Sequence, residues 1–174
     1  MDKREVHLVL GGCRSGKSSH ALALAGARTG EKNIFVATCM PADDEMQARV
    51  VRHQQERDPQ WQTVEEPLEL ARVIREYGGA DVILVDCLTL WISNLMAGHK
   101  DDDKVMEQVR DLGCALDDAA CPVFLVSNEV GAGIVPENAM ARRFRDLAGF
   151  VNQHAAQCAR HVTWMVAGIA VEIK

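Results

Sequence analysis

Gly11-Gly12-Cys13-Arg14-Ser15-Gly16-Lys17-Ser18 is the stretch that decides the fold. It follows a short apolar run, His7-Leu8-Val9-Leu10, and leads into Ser19-His20-Ala21-Leu22-Ala23-Leu24-Ala25, whose composition suits a helix. The spacing is G-x-x-x-x-G-K-[ST], set between a strand and a helix, which is the context in which this pattern forms a phosphate-binding loop. Glycines let successive backbone N–H groups turn inward around phosphate oxygens, and the helix N-terminus adds partial positive charge. Lys17 suits the β and γ phosphates, and Ser18 suits the Mg²⁺ that accompanies them. An ordinary glycine-rich turn between strand and helix is the bland alternative. Pattern and context together favour the phosphate loop, so the chain is expected to bind a nucleoside triphosphate.

Outward from the loop, Asn33-Ile34-Phe35-Val36-Ala37-Thr38 reads as a second buried strand, closed by the turn Thr38-Cys39-Met40-Pro41. Asp43-Asp44-Glu45 offers an N-cap and acidic first-turn residues for a helix running to about Arg57. Only Met46, Val50 and Val51 are strongly apolar in it, so that helix reads as exposed or as lining a cleft. Asp58-Pro59-Gln60-Trp61 and Glu65-Glu66-Pro67 read as breaks. Leu68 to Tyr77 is amphipathic, and Gly78-Gly79 stops it. Asp81-Val82-Ile83-Leu84-Val85-Asp86 is a strand ended by a carboxylate. A helix from about Thr89 to Ala97, a charged mobile loop from Gly98 to Asp103 and a helix from Val105 to Leu116 follow. Val123-Phe124-Leu125-Val126-Ser127 is the fourth buried strand, with the glycine-containing loop Asn128 to Pro136 after it. A long helix over roughly Asn138 to Arg160 leads to a fifth strand, His161 to Val166. Gly168 then turns the chain so that Val171-Glu172-Ile173-Lys174 pairs as an antiparallel edge strand. Strands apolar on both faces and alternating with helices predict a mostly parallel sheet flanked by helices on both sides. The expectation is one α/β domain over residues 1–174, of the P-loop NTPase type.

Composition narrows the class. A chain of 174 residues suits one complete core and is too short for two. Its 48% hydrophobic and 25% charged residues are those of an ordinary globular protein. A net charge of −6 argues against a nucleic-acid binder that works through a broad basic surface. Nothing near Met1 reads as a signal peptide, and no apolar run approaches the roughly 20 residues that cross a bilayer. The six cysteines, Cys13, Cys39, Cys87, Cys114, Cys121 and Cys158, lack C-x-x-C spacing, so buried free thiols in a reducing, cytoplasmic setting are expected.

In a parallel α/β sheet, ligands bind beyond the carboxyl ends of the strands. The loops at 11–18, 38–45, 86–89 and 127–137 are therefore the ones that matter. Asp86 closes the Val82-Ile83-Leu84-Val85 run, where a carboxylate either holds Mg²⁺, directly or through water, or caps the next helix. With a phosphate loop in the same chain, the metal role is favoured. Arg14 pairs with phosphate, reaches a neighbouring subunit or is solvated, and its position leaves all three open. Glu129 is a site carboxylate or a support for its own loop. Arg49, His53 and Arg57 fall at i, i+4 and i+8 and share a helix face, with Arg52 adjacent in sequence. Guanidinium groups around an imidazole favour its neutral form, as attack on phosphorus requires. Spacing alone favours a plain surface histidine.

With these residues laid out, the chain resembles the bifunctional adenosylcobinamide kinase/adenosylcobinamide-phosphate guanylyltransferase family of cobalamin biosynthesis. The resemblance runs from about Val6 to Lys174. It is carried by the phosphate loop; Ala37-Thr38; Asp43-Asp44-Glu45-Met46 with Arg49 and His53; Trp61-x-Thr63-x-Glu65; and Asp86-Cys87-Leu88-Thr89. More specific still are Ser127-Asn128-Glu129-Val130-Gly131-x-Gly133-Ile134-Val135-Pro136 and Arg145-Asp146-x-x-Gly149-x-x-Asn152-Gln153. The resemblance implies phosphorylation of the aminopropanol hydroxyl of adenosylcobinamide by ATP or GTP. It also implies GMP transfer from GTP to that phosphate through a GMP–histidine intermediate at His53. It further implies nucleotide contacts from Gly11, Gly12, Cys13, Arg14, Ser15, Gly16, Lys17, Ser18, Ala37, Thr38, Cys39, Gln54, Gln55, Glu56, Arg57, Glu65 and Asp86. Lys17 is expected to act with His53 in the chemistry and Mg²⁺ to lie at Ser18 and Asp86, and the resemblance implies a homotrimer.

Three other readings compete. A monofunctional small-molecule kinase would have no use for a nucleophilic His53. A nucleotide-dependent switch protein is opposed by Asp86-Cys87-Leu88-Thr89, which is not D-x-x-G, and by the lack of an N-K-x-D motif. A nucleic-acid-dependent ATPase is opposed by the acidic net charge.

Overall fold

The apolar run before the phosphate loop forms β1 (Val6–Gly11), and the loop ends in α1 (Lys17–Gly26). The computed structural model describes residues 5–28, 30–40 and 59–174. The helix expected between Asp43 and Arg57 lies outside them, together with Arg49, His53, Gln54, Gln55 and Glu56. The chain continues through β2 (Asn33–Ala37), β3 (Trp61–Glu65), α2 (Leu70–Glu76), β4 (Val82–Asp86) and α3 (Leu88–Gly98). After α4 (Asp102–Asp118) come β5 (Val123–Asn128), α5 (Ala139–Cys158), β6 (His161–Val166) and β7 (Ile169–Glu172).

These strands form one seven-stranded sheet in the order β3-β2-β4-β5-β1-β6-β7. The pairs from β3 through to β6 are parallel, and β7 returns antiparallel along β6, as the C-terminal turn predicts. Parallel pairing sends every crossover over a face of the sheet, and both faces are accordingly covered. On one face, Leu8, Ile34, Ile83, Val85, Val123 and Leu125 pack with residues of α2, α3, α4 and α5. On the other, Val9, Phe35, Leu84, Phe124 and Val126 pack with Ala21 and Ala25 of α1. Alanines at i and i+4 give α1 a flat stripe, so the helix that leaves the phosphate loop lies close on the sheet. Trp91 of α3 is fully buried, and its indole N–H donates to Leu68 O at 2.7 Å, so it brings no unpaired polar group into the core.

Several boundaries differ from the sequence reading. Residues 61–65, read as lying between two breaks, form the edge strand β3, whose residues are exposed or half-buried. An edge strand paired on one side and partly wet on both faces lacks the continuous apolar run of its neighbours, which hides it from a periodicity argument. The charged loop expected over 98–103 shrinks, because Asp101 accepts a hydrogen bond from Asp103 N at 3.0 Å and starts α4 at Asp102. Arg143 pins what remains, donating to His99 O at 2.9 Å and to Asp102 Oδ1 at 2.6 Å. All six cysteines are free as expected, but only Cys87 and Cys121 are buried; Cys13 and Cys114 are exposed.

Candidate active site

The phosphate loop takes its shape from two residues in left-handed backbone, Arg14 at φ 53° and Gly16 at φ 89°. Gly16 is the N-cap of α1, and any residue with a Cβ would be strained there. Such turns direct consecutive N–H groups to one side and make an anion-binding concavity. Gly11 is required for a different reason: a Cβ on it would lie 2.9 Å from Met165 O. The loop is thus pressed against β6, and the turn after β6 braces it, with Gly168 N donating to Ser15 O at 3.1 Å. Lys17 folds across the loop and donates from Nζ to Gly12 O at 3.1 Å, where a phosphate oxygen can replace that carbonyl as its partner.

The loop opens into a cleft of about 600 Å³. Its walls are residues 13–19 together with Asp86, Cys87, Leu90 and Asn128. The register explains the meeting. Ala37 pairs with both Glu65 and Asp86, Asp86 pairs with Val126, and Asn128 pairs with Gly11. The carboxyl ends of five strands therefore lie in one row. Lys17 and Ser18 of the phosphate-loop motif share the cleft with Asp86, which was read from a separate stretch of the sequence. Ala37, Thr38, Cys39 and Glu65 lie along the same edge without lining it, and Glu65 stands two strands from Asp86, roughly 10 Å along the sheet.

Thr38 has a structural task. Its hydroxyl donates to Cys87 O at 2.8 Å and accepts from Cys87 N at 2.8 Å, holding the chain where it leaves β4 through a cis Asp86–Cys87 peptide. Asn94 of α3 donates to Thr38 O at 2.8 Å and to Pro67 O at 3.1 Å, tying the ends of β2 and β3 to the same place. The negative charge of Asp86 is felt on both sides. Burial first, and Asp86 second, push the Cys87 thiol up to about 11 and the Cys39 thiol above its ordinary value. Among the described residues, no cluster of three or more His, Cys, Asp or Glu could form an all-protein metal cage. Mg²⁺ needs none, because it retains waters and shares phosphate oxygens with one or two protein groups. A hydroxyl at Ser18 and a carboxylate at Asp86, facing one cleft beside an anion-binding loop, fit that ion.

The loop after β5 is built by its own polar residues. Glu129 Oε1 accepts from Gly131 N at 2.6 Å, and Arg145 of α5 donates to Gly131 O at 2.6 Å. Glu129 therefore supports its loop, the second of the two roles open to it. Ser19, Cys87, Leu90 and Asn128 line the cleft without having been singled out as contacts. Asn128 follows an apolar strand within a loop already marked for attention, and that position was the available signal.

The cobinamide kinase / cobinamide phosphate guanyltransferase family matches residues 7–173. The chain belongs to that family. It is 43% identical over 180 residues to the bifunctional adenosylcobalamin biosynthesis protein CobU of Escherichia coli strain K12, covering 96% of this chain and 98% of that one. It is 42% identical to the protein of the same name from Salmonella typhimurium strain LT2, with the same coverage. Among solved structures, the flagellar accessory protein FlaH of Methanocaldococcus jannaschii has a TM-score of 0.54 at 12% identity, covering 98% of this chain and 78% of that one. At that identity the likeness is one of fold. The family is one of bifunctional enzymes, and its two activities both handle nucleotide phosphates, which is what the loop and cleft provide.

Proposed function

We propose that this chain phosphorylates the aminopropanol hydroxyl of adenosylcobinamide with ATP or GTP, then transfers GMP from GTP to the new phosphate, giving adenosylcobinamide-GDP. The observation that carries the reading is that Lys17, Ser18 and Asp86 meet in one cleft of a chain that matches the family from residue 7 to 173. In the kinase step the loop N–H groups and Lys17 hold the β and γ phosphates in line with the incoming hydroxyl, which is catalysis by position and charge. Ser18 and Asp86 would hold Mg²⁺, which would supply charge neutralisation at the phosphate oxygens. In the guanylyl step the same groups hold the β and γ phosphates as the leaving group. A His53 imidazole nitrogen forms a bond to the α-phosphorus, and the bond to the β-phosphate oxygen breaks. The acceptor phosphate oxygen then displaces the imidazole from phosphorus.

Gln54, Gln55, Glu56, Arg57, Glu65 and residues 37–39 are assigned to the nucleotide on the family pattern. The active unit is one catalytic domain over residues 1–174, cytoplasmic, and working as a homotrimer. Exposed apolar side chains on β6 and β7 support the oligomer, and no described helix is long and apolar enough to cross a membrane.

The test is incubation with α-labelled GTP and Mg²⁺. An acid-labile, base-stable phosphoramidate label is expected on the wild-type protein and absent from His53→Ala, which should retain part of the kinase turnover. Lys17→Ala should lose both activities by about a hundredfold or more, since both handle the same phosphates. Kinase activity without any protein label would leave a monofunctional kinase.

A further inference from the structure

Of residues 37–39, which the family pattern assigns to the nucleotide, Thr38 has no surface to offer one. It is 0% exposed and stands between the half-buried Ala37 and Cys39. Its polar groups are committed to the chain around Asp86. The Thr38 N–H donates to Asp86 O at 3.3 Å. Its hydroxyl accepts from Cys87 N and donates to Cys87 O, each at 2.8 Å. The peptide that joins Asp86 to Cys87 is therefore held at both of its polar groups by one residue. Thr38 is itself held from α3, where Asn94 Nδ2 donates to Thr38 O at 2.8 Å and to Pro67 O at 3.1 Å. Cys87 is the N-cap of α3 and gives it no side-chain hydrogen bond, but Cys87 O also accepts from Trp91 N at 3.2 Å. The start of α3 thus keeps a bond of its own without the Thr38 hydroxyl.

Among the described residues that line the cleft, Asp86 is the sole carboxylate. A carboxylate that holds Mg²⁺ beside a phosphate must point in one direction, and the groups behind it set that direction. We propose that Thr38 is a positioning residue that touches no nucleotide and acts through Asp86, fixing its carboxylate where Mg²⁺ is to be held. This assignment rests on the metal role given to Asp86 above. It separates two kinds of residue along the strand ends. Lys17 and Ser18 meet the nucleotide and its metal directly, whereas Thr38 decides how well the one carboxylate opposite them can do so. The consequence is specific: loss of the hydroxyl weakens the Mg²⁺-dependent part of nucleotide binding and leaves the metal-independent part, which belongs to the phosphate loop, intact.

Thr38→Val keeps the shape and removes the hydroxyl, Thr38→Ala removes it with less bulk, and Thr38→Ser retains it. GTP binding to each is measured by calorimetry over a Mg²⁺ series and in EDTA, with Asp86→Asn alongside. The hydroxyl-free variants should need about tenfold more Mg²⁺, or above, for half of the Mg²⁺-dependent gain in GTP affinity. Their affinity in EDTA should stay within about threefold of the wild type, and Thr38→Ser should stay within about threefold under both conditions. In an Asp86→Asn background, Thr38→Val should raise the Mg²⁺ requirement by less than about threefold, because the group it acts through is gone. An equal fall in GTP affinity in EDTA and in Mg²⁺ overturns the assignment, since Thr38 would then contact the nucleotide itself. A wild-type Mg²⁺ requirement in the hydroxyl-free variants, or full additivity with Asp86→Asn, overturns it as well. The result is read on whichever hydroxyl-free variant keeps the wild-type far-UV circular dichroism; if neither folds, the hydroxyl serves folding and the assignment falls. An Asp86→Asn protein with an unaltered Mg²⁺ requirement removes the metal reading itself, and the part of Thr38 with it.

Discussion

Cys13 and Cys87 face the same cleft and differ in chemistry because of where their neighbours sit. Cys13 is exposed in the phosphate loop, whereas Cys87 is buried beside Asp86 with its thiol pushed up to about 11. A thiol must ionise to react. A disulfide reagent at neutral pH should therefore label Cys13 and the exposed Cys114 of α4, and leave Cys87 unmodified. Mg²⁺–GTP should slow labelling of Cys13 by about tenfold or more while leaving Cys114 unchanged, because of the two only Cys13 lines the cleft proposed for the nucleotide. Mass mapping of the labelled peptides reads this directly; equal protection of both cysteines would place the nucleotide elsewhere. Glu66 is a second residue whose surroundings can be titrated. Partial burial works to raise its carboxyl, and it is outweighed by the N–H groups of Glu69 and Leu68 and by Arg72, so its pKa is lowered. A depressed carboxylate adds stability that is complete above the unfolded value, about 4.3, and is lost as pH falls through the folded one. Glu66→Gln should cost about 1 kcal/mol at pH 7 in urea unfolding, with the difference from wild type closing below about pH 4. A difference independent of pH would assign the loss to packing. Lys17 and Asp86 were legible as site residues because each belongs to a local pattern. The place of Asn128 at the cleft wall was not, since Thr89 and Asn152, which hold it, meet it only after the chain folds.

At the scale of elements, apolar strands and the glycine signals around them were readable, and the half-wet edge was not. β3 has one neighbour and alternates poorly, so 61–65 looked like connection although Trp61-x-Thr63-x-Glu65 was visible as a motif. The β6–β7 turn was legible from Gly168, but its part in the site was not. Ala167 and Gly168 stand at φ 51° and 83°, the two positive values of a tight hairpin turn, and Gly168 N donates to the phosphate loop at Ser15 O. Ala167 is in a conformation that alanine tolerates poorly and asparagine well. Ala167→Asn should stabilise the protein by about 1 kcal/mol, raising Tm by about 2–4 °C. The side chain is exposed, so no packing is disturbed. Thermal unfolding measures it, and an unchanged or lower Tm would mean that the turn carries no such strain.

For the whole molecule, the side of the sheet that ends in β7 is the one least finished by a single chain. Val166 pairs with Ile169 and Trp164 with Val171, so the four side chains share one face. They are 45%, 68%, 43% and 46% exposed respectively, while Met165, pointing the other way, is buried. A contiguous exposed apolar face of this kind has the make-up of a subunit contact. Its position next to the phosphate loop would set the cleft beside a neighbouring chain. The homotrimer we propose predicts a mass of about 57 kDa in light scattering, three times the 19.1 kDa of the chain. Ile169→Asp should shift the protein toward the monomer, since a charge in the centre of a desolvated contact is strongly unfavourable. Far-UV circular dichroism should be unchanged in that variant, because Ile169 makes little contact with the core of its own chain. A wild-type mass near that of one chain at micromolar concentration would rule out the trimer. A trimer unaffected by Ile169→Asp would move the contact to another face, with the exposed Ile134, Val135 and Met140 after β5 the next to substitute.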